Sequence, residues 1–150
     1  MTKLQDVMEF AFEMHKTQVD DDGNPYMMHV CQVVDLLKQV TDDEDIIAAA
    51  YLHDTVEDCN VSYAGIKEKF GKRIADLVLE VTHDDYRDKG HTFPRLHSKE
   101  GIMIKFADRL SNISRMQPWD KERQEHYLRR SKFWKSSLDD VIIEGQKKPL

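Results

Sequence analysis

A chain of 150 residues with 40% hydrophobic side chains can bury one core, and it reads as a single domain over 1–150. A formal net charge of −6 argues against a nucleic-acid partner, whose phosphates an acidic surface repels. Cys31 and Cys59 have neither metal-type spacing nor disulfide-framework density, no apolar leader follows a basic start, and no apolar run spans a bilayer, so a cytoplasmic setting without membrane contact is expected.

Leu4, Val7, Met8, Ala11 and Met14 recur at helical spacing and predict a first helix over about Lys3–Lys16, opened by a capping box from Thr2 to Gln5. Asp20-Asp21-Asp22-Gly23-Asn24-Pro25 breaks it with a turn. A second helix opens near Tyr26, carries Val30, Val33, Val34 and Leu37, and has His29 near its start. Thr41-Asp42-Asp43-Glu44 caps a third, with carboxylates where the helix dipole favours them. Its small apolar run, Ile46 to Leu52, reads as buried and leads directly into His53-Asp54-Thr55-Val56-Glu57-Asp58. Ser62 begins a short helix that Gly71 stops, and Lys72 to Val81 form the next, with Ile74, Leu77, Val78 and Val81 inward. From His83 to Ser98 the pattern vanishes; this reads as a functional loop whose Arg87, Lys89 and Arg95 could close over a phosphate. A helix from about Lys99 to Met116 is stopped by Pro118. A last one, from Lys121 to about Leu138, carries Tyr127, Leu128 and Phe133-Trp134 before a frayed tail from Glu144 to Leu150. No stretch alternates with period two, so the expected fold is all-α, a bundle of about six or more helices.

A buried helix that carries four ionisable residues must expose them or pair them. On a continuous helix His53 and Glu57 share one face, and Asp54 and Asp58 the adjoining one. The reading is that His53 and Asp54 point inward to a metal, with Glu57 and Asp58 on the rim of the same cavity. Asp108, flanked by Phe106, Ala107 and Leu110, is a lone carboxylate in an apolar helix and calls for a cation. With His29 this makes two imidazoles and two carboxylates, a set that suits Mn²⁺, Fe²⁺, Co²⁺ or Zn²⁺. The lack of thiolates argues against a closed structural zinc site. Four protein donors on a six-coordinate ion leave room for water and a substrate oxygen, which makes phosphoryl hydrolysis the natural task. Plainer readings stand beside these. His53-Asp54 could be a capping pair, Asp108 could pair with Arg109 or Lys105, His29 could be a satisfied core histidine, Glu57-Asp58 a solvated helix end, and Asn112 an ordinary polar residue. His15, His83, His91, His97 and His126 are not expected to be ligands.

His29, His53-Asp54 and Asp108 resemble the H…HD…D pattern of the HD superfamily of metal-dependent phosphohydrolases. Gln18 with Asp22-Gly23-Asn24-Pro25-Tyr26 and His29 resembles the "Q…DGxPYxxH" opening of the RelA/SpoT-type hydrolase domain and its small stand-alone relatives. Leu52 to Asp58 is similar to "LHDxVED", Phe70-Gly71 with Val81-Thr82 to "FG…VT", and Lys105 to Asn112 to "KxADRxxN". The resemblance runs from about Met14 to Asn112, and to Tyr127 if a late nucleotide-contacting tyrosine is counted. It implies an HD-domain helical bundle that removes pyrophosphate from the 3′ position of ppGpp, commonly with Mn²⁺. It implies His29, His53, Asp54 and Asp108 as metal ligands and Glu57 and Asp58 as the pair that orients or deprotonates water. Asn112, Tyr127, Lys105 and Arg109 would be substrate-binding residues. One departure stands out: Asp20 and Asp21 occupy the places of a basic pair that packs on guanine and helps with phosphate. Two acids can do neither, so other nucleotide substrates remain open: a nucleoside monophosphate, a dNTP or the 2′-phosphate of NADPH. So does a non-catalytic nucleotide-binding module.

Overall fold

The computed structural model describes residues 3–82 and 96–130. They form α1 (Lys3–His15), α2 (Met27–Lys38), α3 (Glu44–Leu52), α4 (Thr55–Asp58), α5 (Tyr63–Phe70), α6 (Lys72–Val81), α7 (Lys99–Ser114) and α8 (Lys121–Arg130). There is no strand among the described residues, only an isolated bridge between Val19 and Pro25 at the mouth of the acidic turn. The fold is all-α, as expected, with eight helices among the described residues, in keeping with a bundle of about six or more. A break at His53-Asp54 separates α4 from α3. Thr2, loop residues 83–95 with Arg87, Lys89 and Arg95, the Phe133-Trp134 pair and the tail from 144 lie outside the described residues.

α3 is the centre of the bundle. Ile46 to Leu52 are all buried, and the helix packs against α1, α2, α6 and α7. Burying a side chain such as Ile47 or Leu52 contributes about 1.5–3 kcal/mol. The start of α3 is held twice. The Asp43 carboxylate accepts from the backbone N–H groups of Asp45 and Ile46, and Arg73 of α6 binds Asp43 at 2.7 Å and Asp45 at 3.1 Å. α1 buries a narrower stripe than its spacing predicts. Val7, Ala11 and His15 face the core, whereas Met8 is 41% exposed. Gly71, at φ +103°, ends α5 and starts α6 in a backbone conformation that only glycine adopts readily.

The start of α7, the helix that carries Asp108, is fixed by Glu80 of α6. This buried carboxylate accepts from the backbone N–H of His97 at 2.9 Å, from that of Ser98 at 2.7 Å and from the Ser98 hydroxyl at 2.9 Å. The Ser98 hydroxyl in turn accepts from the Gly101 N–H at 3.0 Å. A Cβ on Gly101 would fall 2.1 Å from Glu80 Oε1, so any side chain there would push the Glu80 carboxylate off these donors. α7 then runs across α2 and α3, which brings together side chains from three helices.

Candidate metal centre

His29 comes from the first turn of α2, His53 and Asp54 from the break after α3, and Asp108 from the middle of α7. One donor atom from each lies within 4.8 Å of the others, the one such group among the described residues. The break explains how two adjacent residues reach one point. Neighbours on a continuous helix point apart, but at the turn His53 Nε2 comes within 2.9 Å of Asp54 Oδ2. His53 Nε2 is also 3.3 Å from Asp108 Oδ1, and His29 Nε2 is 3.0 Å from that same oxygen.

The far side of each imidazole is tied down. His53 Nδ1–H donates to the Ala50 carbonyl at 2.7 Å, an atom that can only accept. His29 Nδ1–H donates to the Ser111 hydroxyl at 2.8 Å, and that hydroxyl donates to Gln32 Oε1 at 2.6 Å. Both rings therefore turn Nε2 toward the carboxylates. These two nitrogens are buried and neither has a directed hydrogen bond, because the nearby oxygens stand off the N–H axis. Two such nitrogens beside two carboxylates fit a divalent cation, as donor chemistry and spacing alike require.

The electrostatics agree. Burial by itself would lower the His53 imidazole, but Asp54 and Asp108 outweigh it and hold the ring well above its ordinary value. Burial would raise Asp108, yet the two imidazoles and Lys105 hold it well below the carboxylate range. Asp54 is likewise held low, against burial, chiefly by His53. The cluster demands positive charge, which a proton or a divalent cation can supply. The Tyr26 phenol, kept protonated by burial and by Asp54, donates to the Asp54 carboxylate.

A cavity of about 320 Å³ opens over the cluster. It is lined by Asp54 and Asp108, by Glu57 and Asp58 of α4, by Lys105, Arg109 and Asn112 of α7, and by Tyr127 of α8. Burial, then the charge of Asp54, raise the Asp58 carboxyl. Lys105 Nζ is 3.6 Å from Asp108 Oδ2, and the Arg109 guanidinium lies 4.4 Å from the centre of the Tyr127 ring. Asn112 Nδ2 donates to the Tyr127 hydroxyl at 2.9 Å. All the residues named as metal-binding, catalytic or substrate-binding thus border one space or the cluster beneath it.

A second cavity of about 400 Å³ shares the walls Tyr26, Asn112 and Tyr127 and extends toward Asp20, Asp21, Arg115, Trp119 and Arg123. Asp20 and Asp21 do not face it as bare charges. Arg115 binds Asp20 at 2.7 Å. Trp119 Nε1 donates to Asp21 at 2.6 Å, and Arg123 reaches the same carboxylate at 3.1 Å while stacking 3.8 Å from the Trp119 ring centre. Ser111, Gln32, Arg115, Trp119 and Arg123 had no role in the sequence reading. Ser111 carries the one usable signal, since it stands three residues after Asp108 on the same helix face.

The family profile of the HD domain matches residues 8–133. The chain belongs to the HD domain family. HD-domain hydrolases use a divalent metal, and this member brings together a His/Asp cluster that could bind one. The guanosine-3′,5′-bis(diphosphate) 3′-pyrophosphohydrolase of Aquifex aeolicus is 33% identical over 132 residues, or 82% of this chain and 19% of that protein. The Drosophila melanogaster enzyme of the same name, MESH1, is 31% identical over 142 residues, 84% of this chain and 79% of the relative. The human one is 32% identical over 147 residues, with the same coverage. The chain therefore spans about a fifth of the bacterial relative and about four-fifths of the animal ones. A solved structure, described as a metazoan ortholog of SpoT that hydrolyzes ppGpp, superposes with a TM-score of 0.77 at 26% identity, covering 98% of this chain and 86% of its own. No helix among the described residues of this HD-domain chain is long and apolar enough to cross a membrane.

Proposed function

We propose that this chain is a metal-dependent nucleotide phosphohydrolase that converts ppGpp and water to GDP and pyrophosphate. The observation that carries the reading is the convergence of His29, His53, Asp54 and Asp108 at the floor of a cavity rimmed by Glu57 and Asp58. Those four residues would hold Mn²⁺ or another divalent transition metal. Such an ion supplies positive charge that acidifies water and polarises a phosphoryl oxygen.

The protein's own groups do the rest. Glu57 and Asp58 orient the attacking water and take its proton. The water oxygen forms a bond to the phosphorus attached to the ribose 3′-oxygen, and the P–O bond to that oxygen breaks. Pyrophosphate leaves, and the 3′-hydroxyl regains a proton. Lys105 and Arg109 place buried positive charge beside the phosphates. Asn112 and Tyr127 stand where the two cavities meet, so a nucleotide laid across that junction puts its phosphates over the cluster and its base toward Trp119. Because Asp20 and Asp21 are paired with Arg115 and Arg123, they do not oppose an anionic substrate as two free acids would. The reaction belongs to one domain working on a nucleotide in the cytoplasm.

Purified protein with Mn²⁺ should release GDP and pyrophosphate from ppGpp, and His53→Ala should abolish the release. A second reading keeps the machinery and changes the substrate, favoured by the acids at 20 and 21. Faster turnover of a nucleoside monophosphate, a dNTP or NADPH in the same assay selects it. Tight nucleotide binding with no product from any of these, metal present, would instead make the chain a binding module.

A further inference from the structure

Of the histidines set aside in the sequence reading, His15 is the one among the described residues that lies in the core, with 1% of its surface exposed. It is the last residue of α1, far in sequence from the metal cluster, and its ring lies 5.1 Å from that of Tyr26. Its Nδ1 sits 2.8 Å from Gln18 Oε1, and the other end of the same amide, Gln18 Nε2, donates to Asp58 Oδ2 at 3.2 Å. His15 Nε2 is buried with no partner. We propose that His15 and Gln18 form a positioning relay that holds the Asp58 carboxylate in place over the metal cluster.

With Asp58 ionised and the Cys59 thiol, 3.5 Å from His15 Nδ1, given to the Met14 carbonyl, one arrangement satisfies all three groups. An ionised carboxylate only accepts, so Gln18 must turn its NH₂ toward Asp58. The amide oxygen then faces His15, which must supply a proton on Nδ1. The opposite tautomer would present a lone pair to the amide oxygen and favour the flipped amide, whose oxygen would confront Asp58. The backbone stiffens the link at both ends of Gln18. Its N–H donates to the His15 carbonyl at 2.9 Å, and its carbonyl accepts from Tyr26 N–H at 2.9 Å. Cys59, next to Asp58, donates from Sγ to the Met14 carbonyl at 3.3 Å, which ties the end of α4 to the end of α1. His15 touches neither the metal donors nor either cavity, and Gln18, which borders the 400 Å³ cavity, does not touch the metal donors. They are positioning residues, and their effect passes through Asp58.

This inference rests on the reading of Asp58 as the group that orients water, and the test has two arms. In the first, the His15 tautomer is read from long-range ¹H–¹⁵N spectra of the whole protein with diamagnetic Zn²⁺. Protonated Nδ1 with bare Nε2 is expected; protonated Nε2 with bare Nδ1 overturns the relay whatever the substrate proves to be. In the second, Gln18→Leu, His15→Leu, the double variant and His15→Asn are assayed on ppGpp. Each single leucine variant should lower kcat by about 10- to 100-fold, with little change in KM for His15→Leu, whose side chain borders neither cavity. Metal affinity should stay within about twofold. The double variant should be no worse than either single one, because both break one chain of contacts. His15→Asn, which keeps an N–H donor near the Nδ1 position, should recover most of the rate. Multiplicative losses, unchanged kcat, or losses that follow metal affinity or thermal stability would overturn the relay. Wild-type protein that ignores ppGpp would sink the substrate reading instead, and the tautomer would still decide the relay.

Discussion

Ser111→Ala offers the sharpest test of how the cluster is held. Ser111 is fully buried, and its hydroxyl is the acceptor for His29 Nδ1–H at 2.8 Å. Removing one oxygen scarcely changes the packing, but it leaves that N–H buried without a partner. Stranding a buried donor costs about 1–3 kcal/mol, which is about 5- to 150-fold in affinity. Loss of the group that orients a metal-bound histidine typically weakens the metal by about 10- to 100-fold. The two estimates overlap, so a fall of about 10- to 100-fold in Mn²⁺ or Zn²⁺ affinity is expected by calorimetric titration. Gln32 Oε1 loses its donor too, but Gln32 is half-buried and water can replace it. Ser114→Ala is the control. Its hydroxyl donates to the Ser111 carbonyl at 2.7 Å on the same helix and does not touch His29. Affinity within about twofold of wild type in folded Ser111→Ala would refute the reasoning, as would an equal loss in both variants.

Metal affinity should rise with pH. The carboxylates hold the proton on His53 well above its ordinary value of 6.5, and that proton must leave before Nε2 can accept a cation. Affinity should thus climb about tenfold per pH unit below the raised value and level off above it, with about one proton released per metal; a flat affinity between about pH 6 and 8 contradicts this. Tyr26→Phe deletes the donor to Asp54 and should weaken the metal by about 2- to 10-fold, read by the same titration. Arg123→Ala leaves Asp21 without its guanidinium. Since both groups are half exposed and screened, KM for the nucleotide should rise only severalfold while kcat holds; a fall in kcat at constant KM would move Arg123 out of the binding pocket. Glu80→Gln turns an NH₂ toward donors at the start of α7 and should lower stability by about 1.5–3 kcal/mol in denaturant titration; an unchanged midpoint would mean that Glu80 does not hold α7.

The motif order named four candidate donors from three separate stretches of the chain, and His29, His53, Asp54 and Asp108 do come together. The helical spacing of Val30, Val33, Val34 and Leu37, and the apolar run into Leu52, set the faces that bury α2 and α3. The break at His53-Asp54 escaped the periodicity. A two-residue turn leaves the surrounding helical pattern nearly intact, and Asp58 N–H still bonds the Asp54 carbonyl at 2.9 Å. α1 misled for a different reason. Met8 is apolar and in phase, but it lies at the edge of the buried face and stays 41% exposed.

Residue types and their order therefore determined the helical class and the donor set, because both depend on local spacing and side-chain chemistry. The partners of those residues were decided only by tertiary structure. Ser111 meets His29 across 82 positions, Gln18 meets Asp58 across 40, and Arg115 meets Asp20 across 95. Asp20 and Asp21 look like misplaced acids in a string of letters. In the folded chain two arginines neutralise them, since a charge's energy depends on what lies within a few ångströms in space and not on its neighbours in sequence.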